Sequence, residues 1–163
     1  MESRTKVIII SDTHRQNDNF FKVLEVEKDF DMIIHCGDVE GSELTYTRAV
    51  NCRVEMVMGN NDFFSALPRE REFYIGSKKV LVTHGHDYYV SMGNGIIKAE
   101  ARARGIDILM YGHTHKPLVE NEGGLITINP GSLTYPRQEG RRPSYAALYV
   151  YSDGEAIAEI KYL

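Results

Sequence analysis

The 163-residue chain is poor in cysteine and has no long apolar run. Its two cysteines, Cys36 and Cys52, are too few for a disulfide framework and suit a reducing compartment. The apolar runs are a few residues long, far short of a membrane span. Only four apolar residues, 7–10, precede Ser11, too few for the apolar core of a signal peptide. We therefore expect a cytoplasmic protein that has no membrane partner.

An excess of basic residues is also missing. The chain has 19 Lys and Arg against 23 Asp and Glu, a formal net charge of −4. Sequence-independent nucleic-acid binding requires a basic face, so this partner class is disfavoured, although a nucleic-acid diester could still be a substrate. The one cationic cluster is PRQEGRR, which contains Arg137 and Arg142. A small anionic substrate is compatible with this balance.

The length and the 42% of hydrophobic residues indicate one soluble globular domain over residues 1–163. Apolar residues with helical spacing alternate with short β-branched runs, which predicts parallel β-α-β units. The runs predicted as strands are 6–10, 31–36, 53–58, 78–84 and 107–112, and the predicted helices are 17–30, 42–50 and 94–105.

The first predicted helix has Phe20, Phe21 and Leu24 on one face, with Val23 as a further candidate, and Asn17 or Asp18 is placed to cap it. Gly105 is expected to stop the third. After Pro117 the pattern changes to strands joined by tight turns, which predicts antiparallel pieces and a mixed α/β sandwich. These later strands are 117–121, 124–129, 144–152 and 155–163.

Side chains suited to metal binding or acid–base chemistry directly follow five predicted strands. The carboxyl ends of parallel strands lie at one edge of a sheet, so these residues could meet. A single His or Asp at a strand end is usually a solvated or hydrogen-bonded loop residue. Five of the six histidines, however, lie in three such motifs, which favours a functional site, and we interpret the sixth, His35, as a core residue. The motifs are SDTH (Asp12, His14), CGDVEG (Asp38), GNND (Asn60), THGH (His84, His86) and YGHTH (His113, His115).

Four histidines, two aspartates and an asparagine are more ligands than one tetrahedral zinc ion uses, whereas two ions about 3.5–4 Å apart could use them. Residues two apart on an extended backbone point to the same face, about 6.5–7 Å apart. The pairs Asp12/His14 and His113/His115 could then each reach two different ions. Two divalent ions with two carboxylates leave a charge of roughly +2, or +1 with a hydroxide, which suits a phosphate ester. A neutral Asn60 preserves that charge.

The ordered set D-x-H, G-D, G-N-x-D, H-G-H and G-H-T-H resembles the calcineurin-like metallophosphoesterases. NPGS at 129–132 and PR at 136–137 also recur in the small bacterial and archaeal phosphodiesterase branch. The resemblance implies a four-layer α/β/β/α sandwich with mixed sheets and a phosphodiesterase that uses two metal ions, with a bridging water or hydroxide as nucleophile. Mn²⁺ is the expected metal, and Ni²⁺, Fe²⁺ and Zn²⁺ are alternatives. It implies that Asp12, His14 and His115 bind one ion, that Asn60, His84 and His113 bind the other, and that Asp38 bridges them.

One position departs from the commonest family pattern, which has His where this chain has Asn61. An amide cannot act as a general acid, so we expect activity on diesters with good leaving groups. His86 is interpreted as a substrate-contacting or ligand-supporting residue, with a hydrogen-bonded loop histidine as the alternative. Asp62 is expected to fix its loop, or to orient a site residue, and Arg137 to contact the substrate phosphate or remain a solvated charge.

Two other functions remain open from the sequence. A phosphomonoesterase could use the same site, and the retromer sorting complex contains a subunit of this fold that serves chiefly as a scaffold. All seven presumed ligand positions carry competent residue types, which favours an enzyme. A homo-oligomer is a further expectation, through pairing of an exposed strand such as 144–152 between chains.

Overall fold

The computed structural model describes residues 3–163, in which the short β-branched runs of the sequence form strands of two five-stranded sheets. The helices are α1 (Asp18–Val26), α2 (Glu43–Ala49) and α3 (Gly95–Ala103). The strands are β1 (Arg4–Ile10), β2 (Met32–His35), β3 (Arg53–Met56), β4 (Glu70–Ile75), β5 (Lys78–Thr83), β6 (Ile108–Met110), β7 (Leu118–Glu122), β8 (Leu125–Asn129), β9 (Ser144–Tyr151) and β10 (Ala156–Tyr162).

Each sheet combines three adjacent parallel strands with antiparallel pairs. The first sheet has the order β10-β9-β1-β2-β3, and the second has the order β4-β5-β6-β8-β7. Strands β1, β2 and β3 run parallel, as do β5, β6 and β8. The hairpins β7–β8 and β9–β10 are antiparallel. These hairpins confirm the predicted antiparallel pieces after Pro117, although β8 also pairs parallel with β6 and the β4–β5 pair is already antiparallel.

Successive apolar side chains along the strands point to opposite faces of each sheet, and this produces the layers of the fold. In β1, Val7 and Ile9 join the apolar core that the two sheets share, whereas Ile8 and Ile10 pack with residues of α1 and α2 on the other face. In the second sheet, Leu81 of β5 packs with α3 instead. Strands buried on both faces read as continuous apolar runs. The result is the predicted α/β/β/α sandwich.

Helix α1 differs in detail from its prediction. Phe20 and Val23 are buried, but Phe21 is 45% exposed, because it lies on the side of the helix that faces away from the sheet. No side-chain hydrogen bond caps the helix. Asn17 instead donates to Ser42 Oγ (3.0 Å) and accepts from the hydroxyl of Tyr46 (2.5 Å).

Strand β4 was not predicted. Its sequence EREFYI is charged and half-exposed, which conceals its role as an edge strand paired antiparallel with β5. The suggested pairing of 144–152 between chains is wrong, because β9 is hydrogen-bonded to β1 on one side and to β10 on the other. Within the described residues, no helix is long and apolar enough to cross a bilayer.

Candidate metal centre

The loops that follow five strands of the two sheets meet at one place. Asp12 and His14 follow β1, Asp38 follows β2 and Asn60 follows β3, all in the first sheet. The second sheet brings its own residues after β5 and β6. Because both sheets aim the carboxyl ends of these parallel strands at the same region, all seven predicted ligands come together. The residues from the second sheet are His84, His113 and His115.

The backbone at this place is not extended, so the geometry predicted for the pairs Asp12/His14 and His113/His115 is wrong. Asp12 and His14 have φ of 54° and 48°, and His113 and His115 have φ of 71° and 60°. Left-handed backbone at such residues is uncommon and is concentrated at functional sites. The chain turns as soon as each strand ends, and the His113 N–H donates to Asp12 Oδ2 at 3.0 Å. The strand-end loops therefore hold each other directly.

A first group of donor atoms surrounds Asp12. Its Oδ1 lies 3.2 Å from His115 Nε2 and 3.9 Å from His14 Nε2, and the two imidazole nitrogens are 3.3 Å apart. One ion could bind all three atoms, because they lie within 4.8 Å of one another.

A second group lies beside it. His113 Nδ1 is 3.1 Å from Asn60 Oδ1 and 3.2 Å from His84 Nε2. Asp38 Oδ2 is 3.4 Å from His84 Nε2 and 3.6 Å from His14 Nε2, so this carboxylate touches both groups. Asp12 Oδ1 is also 3.8 Å from His84 Nε2.

The hydrogen bonds around these donors fit bound cations. Asp12 Oδ1 is fully buried and has no hydrogen-bond partner among the described residues, which is costly for a carboxylate oxygen unless a cation satisfies it. His84 Nδ1 donates to the carbonyl of Cys36 (2.8 Å), and His115 Nδ1 donates to the carbonyl of Tyr135 (2.7 Å). Both rings then present Nε2 to the site, the arrangement common in metal-binding histidines.

The charges of the site are strongly coupled. Burial alone would raise the pKa of Asp38, but the hydrogen bond and charge of His84 and the amides of Asn61 outweigh it, so the pKa lies far below its ordinary value. The pKa of Asp12 is lowered in the same way, against its burial, by His84 and His115. Burial would lower the pKa of His84, but both carboxylates raise it to about 9. The two carboxylates thus attract positive charge.

Glycine permits two of the close approaches. A Cβ on Gly112 would lie 2.1 Å from Ser11 Oγ and 2.6 Å from Asp12 Oδ2. A Cβ on Gly59 would lie 2.2 Å from Asp38 Oδ1. No side chain fits at these distances, so the glycines of GNND and YGHTH are required by contact between the loops.

Sequence reasoning missed the residues that brace the loops. Ser132 Oγ donates to the carbonyl of Asp12 (2.8 Å) and accepts from the amides of Thr134 and Tyr135. Asn129 Nδ2 donates to the carbonyl of Gly112 (3.1 Å). The NPGS segment that contains Asn129 and Ser132 was the available signal, although its sequence alone does not name these partners.

A buried polar chain lies behind the first group. The Gly37 N–H donates to His35 Nδ1 (3.1 Å), so His35 Nε2 carries the proton and donates to Thr13 Oγ1 (2.9 Å). Thr13 in turn hydrogen-bonds Tyr46 (2.6 Å), whose hydroxyl donates to Asn17. Burial lowers the pKa of His35 to about 4, which keeps the ring neutral. His35 is thus buried, as predicted, and its hydrogen bonds to Thr13 and Gly37 also order the loops that follow β1 and β2.

The two residues that follow Asn60 have different surroundings. The Asn61 backbone amide donates to Asp38 Oδ1 (2.9 Å), and its side-chain amide donates to Oδ2 (3.1 Å). Asp62 Oδ2 accepts from the amides of Gly59 (2.7 Å) and Asp38 (2.9 Å), and its Oδ1 accepts from the amide of Glu40 (2.6 Å). Asp62 therefore joins two site loops through their backbones.

His86 and Arg137 lie at the border of the centre. The His86 ring is 5.4 Å from the His84 ring and 6.1 Å from the His113 ring, measured between centroids. Its Nδ1 is buried and has no hydrogen-bond partner among residues 3–163. Burial lowers the pKa of His86. The Arg137 amide donates to the carbonyl of His115 (3.0 Å), while its side chain is exposed beside the centre.

Comparison with known proteins gives consistent results. The sequence profile of the calcineurin-like phosphoesterase superfamily domain matches residues 5–153. The chain is 34% identical over 152 residues to the probable metallophosphoesterase YsnB of Bacillus subtilis, covering 93% of this chain and 88% of the relative. It is 27% identical over 143 residues to the phosphodiesterase MJ0936 of Methanocaldococcus jannaschii, covering 77% and 82%.

The fold is also that of Vps29 of Entamoeba histolytica, solved in complex with Zn²⁺. The TM-score is 0.75 at 22% identity, with 97% of this chain and 99% of the other covered. This likeness concerns the fold alone, whereas the profile match spans most of the chain and includes every strand-end motif. The predicted family is confirmed, and the chain belongs to the calcineurin-like phosphoesterase superfamily.

Proposed function

We propose that this protein is a phosphodiesterase that depends on two divalent metal ions. Family membership and the cluster of buried Asp and His side chains support a metal-dependent phosphoesterase. The observation that carries the two-ion proposal is the position of Asp38. Its Oδ2 lies between His14 Nε2 (3.6 Å) and His84 Nε2 (3.4 Å), one from each donor group. A carboxylate placed this way can bridge two ions.

The proposed ligands follow the two donor groups. Asp38 would be shared between the ions. Nitrogen and oxygen donors without cysteine suit Mn²⁺, Ni²⁺, Fe²⁺ and Zn²⁺, and of these we propose Mn²⁺. When bound, the ions would activate a water for attack on phosphorus and would supply positive charge for the phosphoryl oxygens. The first ion would be held by Asp12, His14 and His115, and the second by Asn60, His84 and His113.

The chain's own residues then set the charge and the geometry. The carbonyls of Cys36 and Tyr135 hold the rings of His84 and His115 in the tautomer that leaves Nε2 free. Asn60 contributes an oxygen without a negative charge, so the site keeps its attraction for an anionic ester. Asp62 fixes the loops of Gly59 and Asp38 through backbone hydrogen bonds.

Three further residues act on the substrate in this proposal. Asn61 has no titratable proton, so it can donate a hydrogen bond but cannot protonate a leaving oxygen. His86, beside the second donor group, and Arg137, beside the first, would contact non-bridging phosphoryl oxygens. Diesters with good leaving groups, such as aryl esters, are therefore the preferred substrates.

The test compares bis(4-nitrophenyl) phosphate with 4-nitrophenyl phosphate in the presence of Mn²⁺, Ni²⁺, Fe²⁺ or Zn²⁺. We expect metal-dependent release of 4-nitrophenolate with a higher kcat/KM for the diester. Asp38→Asn should lose at least about 10²-fold in kcat/KM. The matched control is Asp29→Asn, because Asp29 is an exposed aspartate with similar left-handed backbone (φ 55° against 60°) in a distant loop.

The same assay separates the alternatives. A higher kcat/KM for the monoester would make the protein a phosphomonoesterase. Absence of any metal-dependent hydrolysis, with Asp38→Asn indistinguishable from wild type, would favour a scaffold role of the kind considered from the sequence. The fold is shared with proteins named for vacuolar sorting, so this outcome has a structural precedent. The free thiols Cys36 and Cys52 suit the reducing cytoplasm in which we propose that the protein acts.

A further inference from the structure

A cavity of about 530 Å³ opens beside the first donor group of the metal centre. Among residues 3–163, its wall contains no carboxylate side chain. Two of its lining residues are proposed metal ligands and two are arginines, so cationic or metal-binding groups dominate its chemistry. The lining residues are His14, His115, Tyr135, Pro136, Arg137 and Arg141.

The two arginines of this cavity have no carboxylate to neutralise them within the described part of the chain. Their neighbour Arg142 is different, because it donates to the carbonyl oxygen of Leu163 (3.2 Å) and lies over the ring of Tyr162 at 5.1 Å. The arginines that do form ion pairs are Arg53, Arg69, Arg71 and Arg104.

The backbone that carries the arginines is tied to the metal centre. The amide of Arg137 donates to the carbonyl of His115 (3.0 Å), and His115 Nδ1 donates back to the carbonyl of Tyr135 (2.7 Å). The amide of Arg141 donates to the carbonyl of Gln138 (3.0 Å), which closes the turn. The cavity therefore has a fixed position relative to His115, which a non-specific surface charge would not have.

A single phosphate held at the two metal ions does not account for Arg141, which adds a second guanidinium to the cavity wall. Guanidinium groups pair bidentately with phosphate oxygens, so Arg141 can bind a further phosphate while Arg137 contacts the phosphate at the metal centre. We propose that this cavity is a second phosphate subsite, and that the natural substrate is a phosphodiester with a further phosphate group on one of its alcohols. This inference rests on the proposed phosphodiesterase function.

The test uses two chromogenic diesters that differ in one group. Both are 4-nitrophenyl esters of thymidine 5′-phosphate, and one also carries a 3′-phosphate. With added Mn²⁺, wild type should show a kcat/KM about 10- to 100-fold higher for the phosphorylated diester, mainly through KM. Arg141→Ala should remove most of this preference, and the control Arg142→Ala should keep it.

A binding measurement separates the subsite from the catalytic proposal. Titration calorimetry with thymidine 3′,5′-bisphosphate and thymidine 5′-monophosphate reports the same preference without turnover. If neither diester is hydrolysed but wild type still prefers the bisphosphate and Arg141→Ala does not, the phosphodiesterase proposal fails and the subsite stands. If Arg141→Ala keeps the preference, or Arg142→Ala loses it equally, the subsite is refuted.

Discussion

The buried carboxylate of Glu27 should contribute strongly to stability in a way that depends on pH. It directly follows α1 and its side chain is 3% exposed. Its Oε2 is 2.9 Å from Lys6 Nζ of β1, and its Oε1 is 2.6 Å from both Lys161 Nζ of β10 and the hydroxyl of Tyr145 of β9. Glu27 therefore joins the end of a helix to three strands of the first sheet.

These contacts determine how much the ionised carboxylate of Glu27 stabilises the fold. Burial would raise the pKa of Glu27, but the hydrogen bonds from Lys161, Tyr145 and Lys6 outweigh it and lower the pKa from 4.5 to about 2. Because the folded pKa lies below the unfolded one, the stabilisation is full above pH 4.5 and is lost as pH falls through about 2. At roughly 1.4 kcal/mol per pKa unit, this shift corresponds to about 3 kcal/mol at pH 7 and about 1.4 kcal/mol at pH 3.

The assay is urea unfolding of wild type and Glu27→Gln at pH 7 and pH 3. The difference in unfolding free energy between the two proteins should be about 3 kcal/mol at pH 7 and should fall to about half of that at pH 3. Glu25→Gln, on the exposed side of α1, is the control and should change the free energy by less than about 0.5 kcal/mol at either pH. A Glu27→Gln difference that is the same at pH 7 and pH 3 would show that the ionised carboxylate of Glu27 does not provide this stability.

Two further substitutions test the site and its support. Asn61→His introduces a titratable donor next to Asp38. The rate of hydrolysis of alkyl diesters should therefore rise by about 10-fold or more relative to that of aryl diesters. If wild type and Asn61→His hydrolyse both kinds of diester at the same rates, a missing acid does not limit this enzyme. Tyr46→Phe removes a hydroxyl that contacts Thr13 and Asn17. The free energy of unfolding, measured by urea denaturation, should therefore fall by about 1–3 kcal/mol. An unchanged value would show that the buried polar chain is not stabilising.

The sequence predicted the residues of the centre better than their geometry. The motifs after the strands identified seven side chains that do come together, because a polar cluster after a buried strand is a local pattern. The left-handed backbone of Asp12 and His113 could not be predicted, since it results from contacts between loops distant in sequence. The bracing hydrogen bonds of Ser132 were missed for the same reason.

The fold shows a similar division. Buried strands such as β1 have a continuous apolar pattern and were predicted, as were the hairpins that turn at glycine. The edge strand β4 was missed because half of its surface faces water and its charged residues conceal the alternation. The exposure of Phe21 was missed because four aromatic and aliphatic residues within five positions of α1 cannot all face the sheet.

The proposed function depends on two metal ions that share the carboxylate of Asp38. Elemental analysis of the protein after saturation with Mn²⁺ and gel filtration tests it most directly. We predict two ions per chain in wild type and in Asp29→Asn, and one ion or fewer in Asp38→Asn. One ion per chain in wild type, or two in Asp38→Asn, would contradict it.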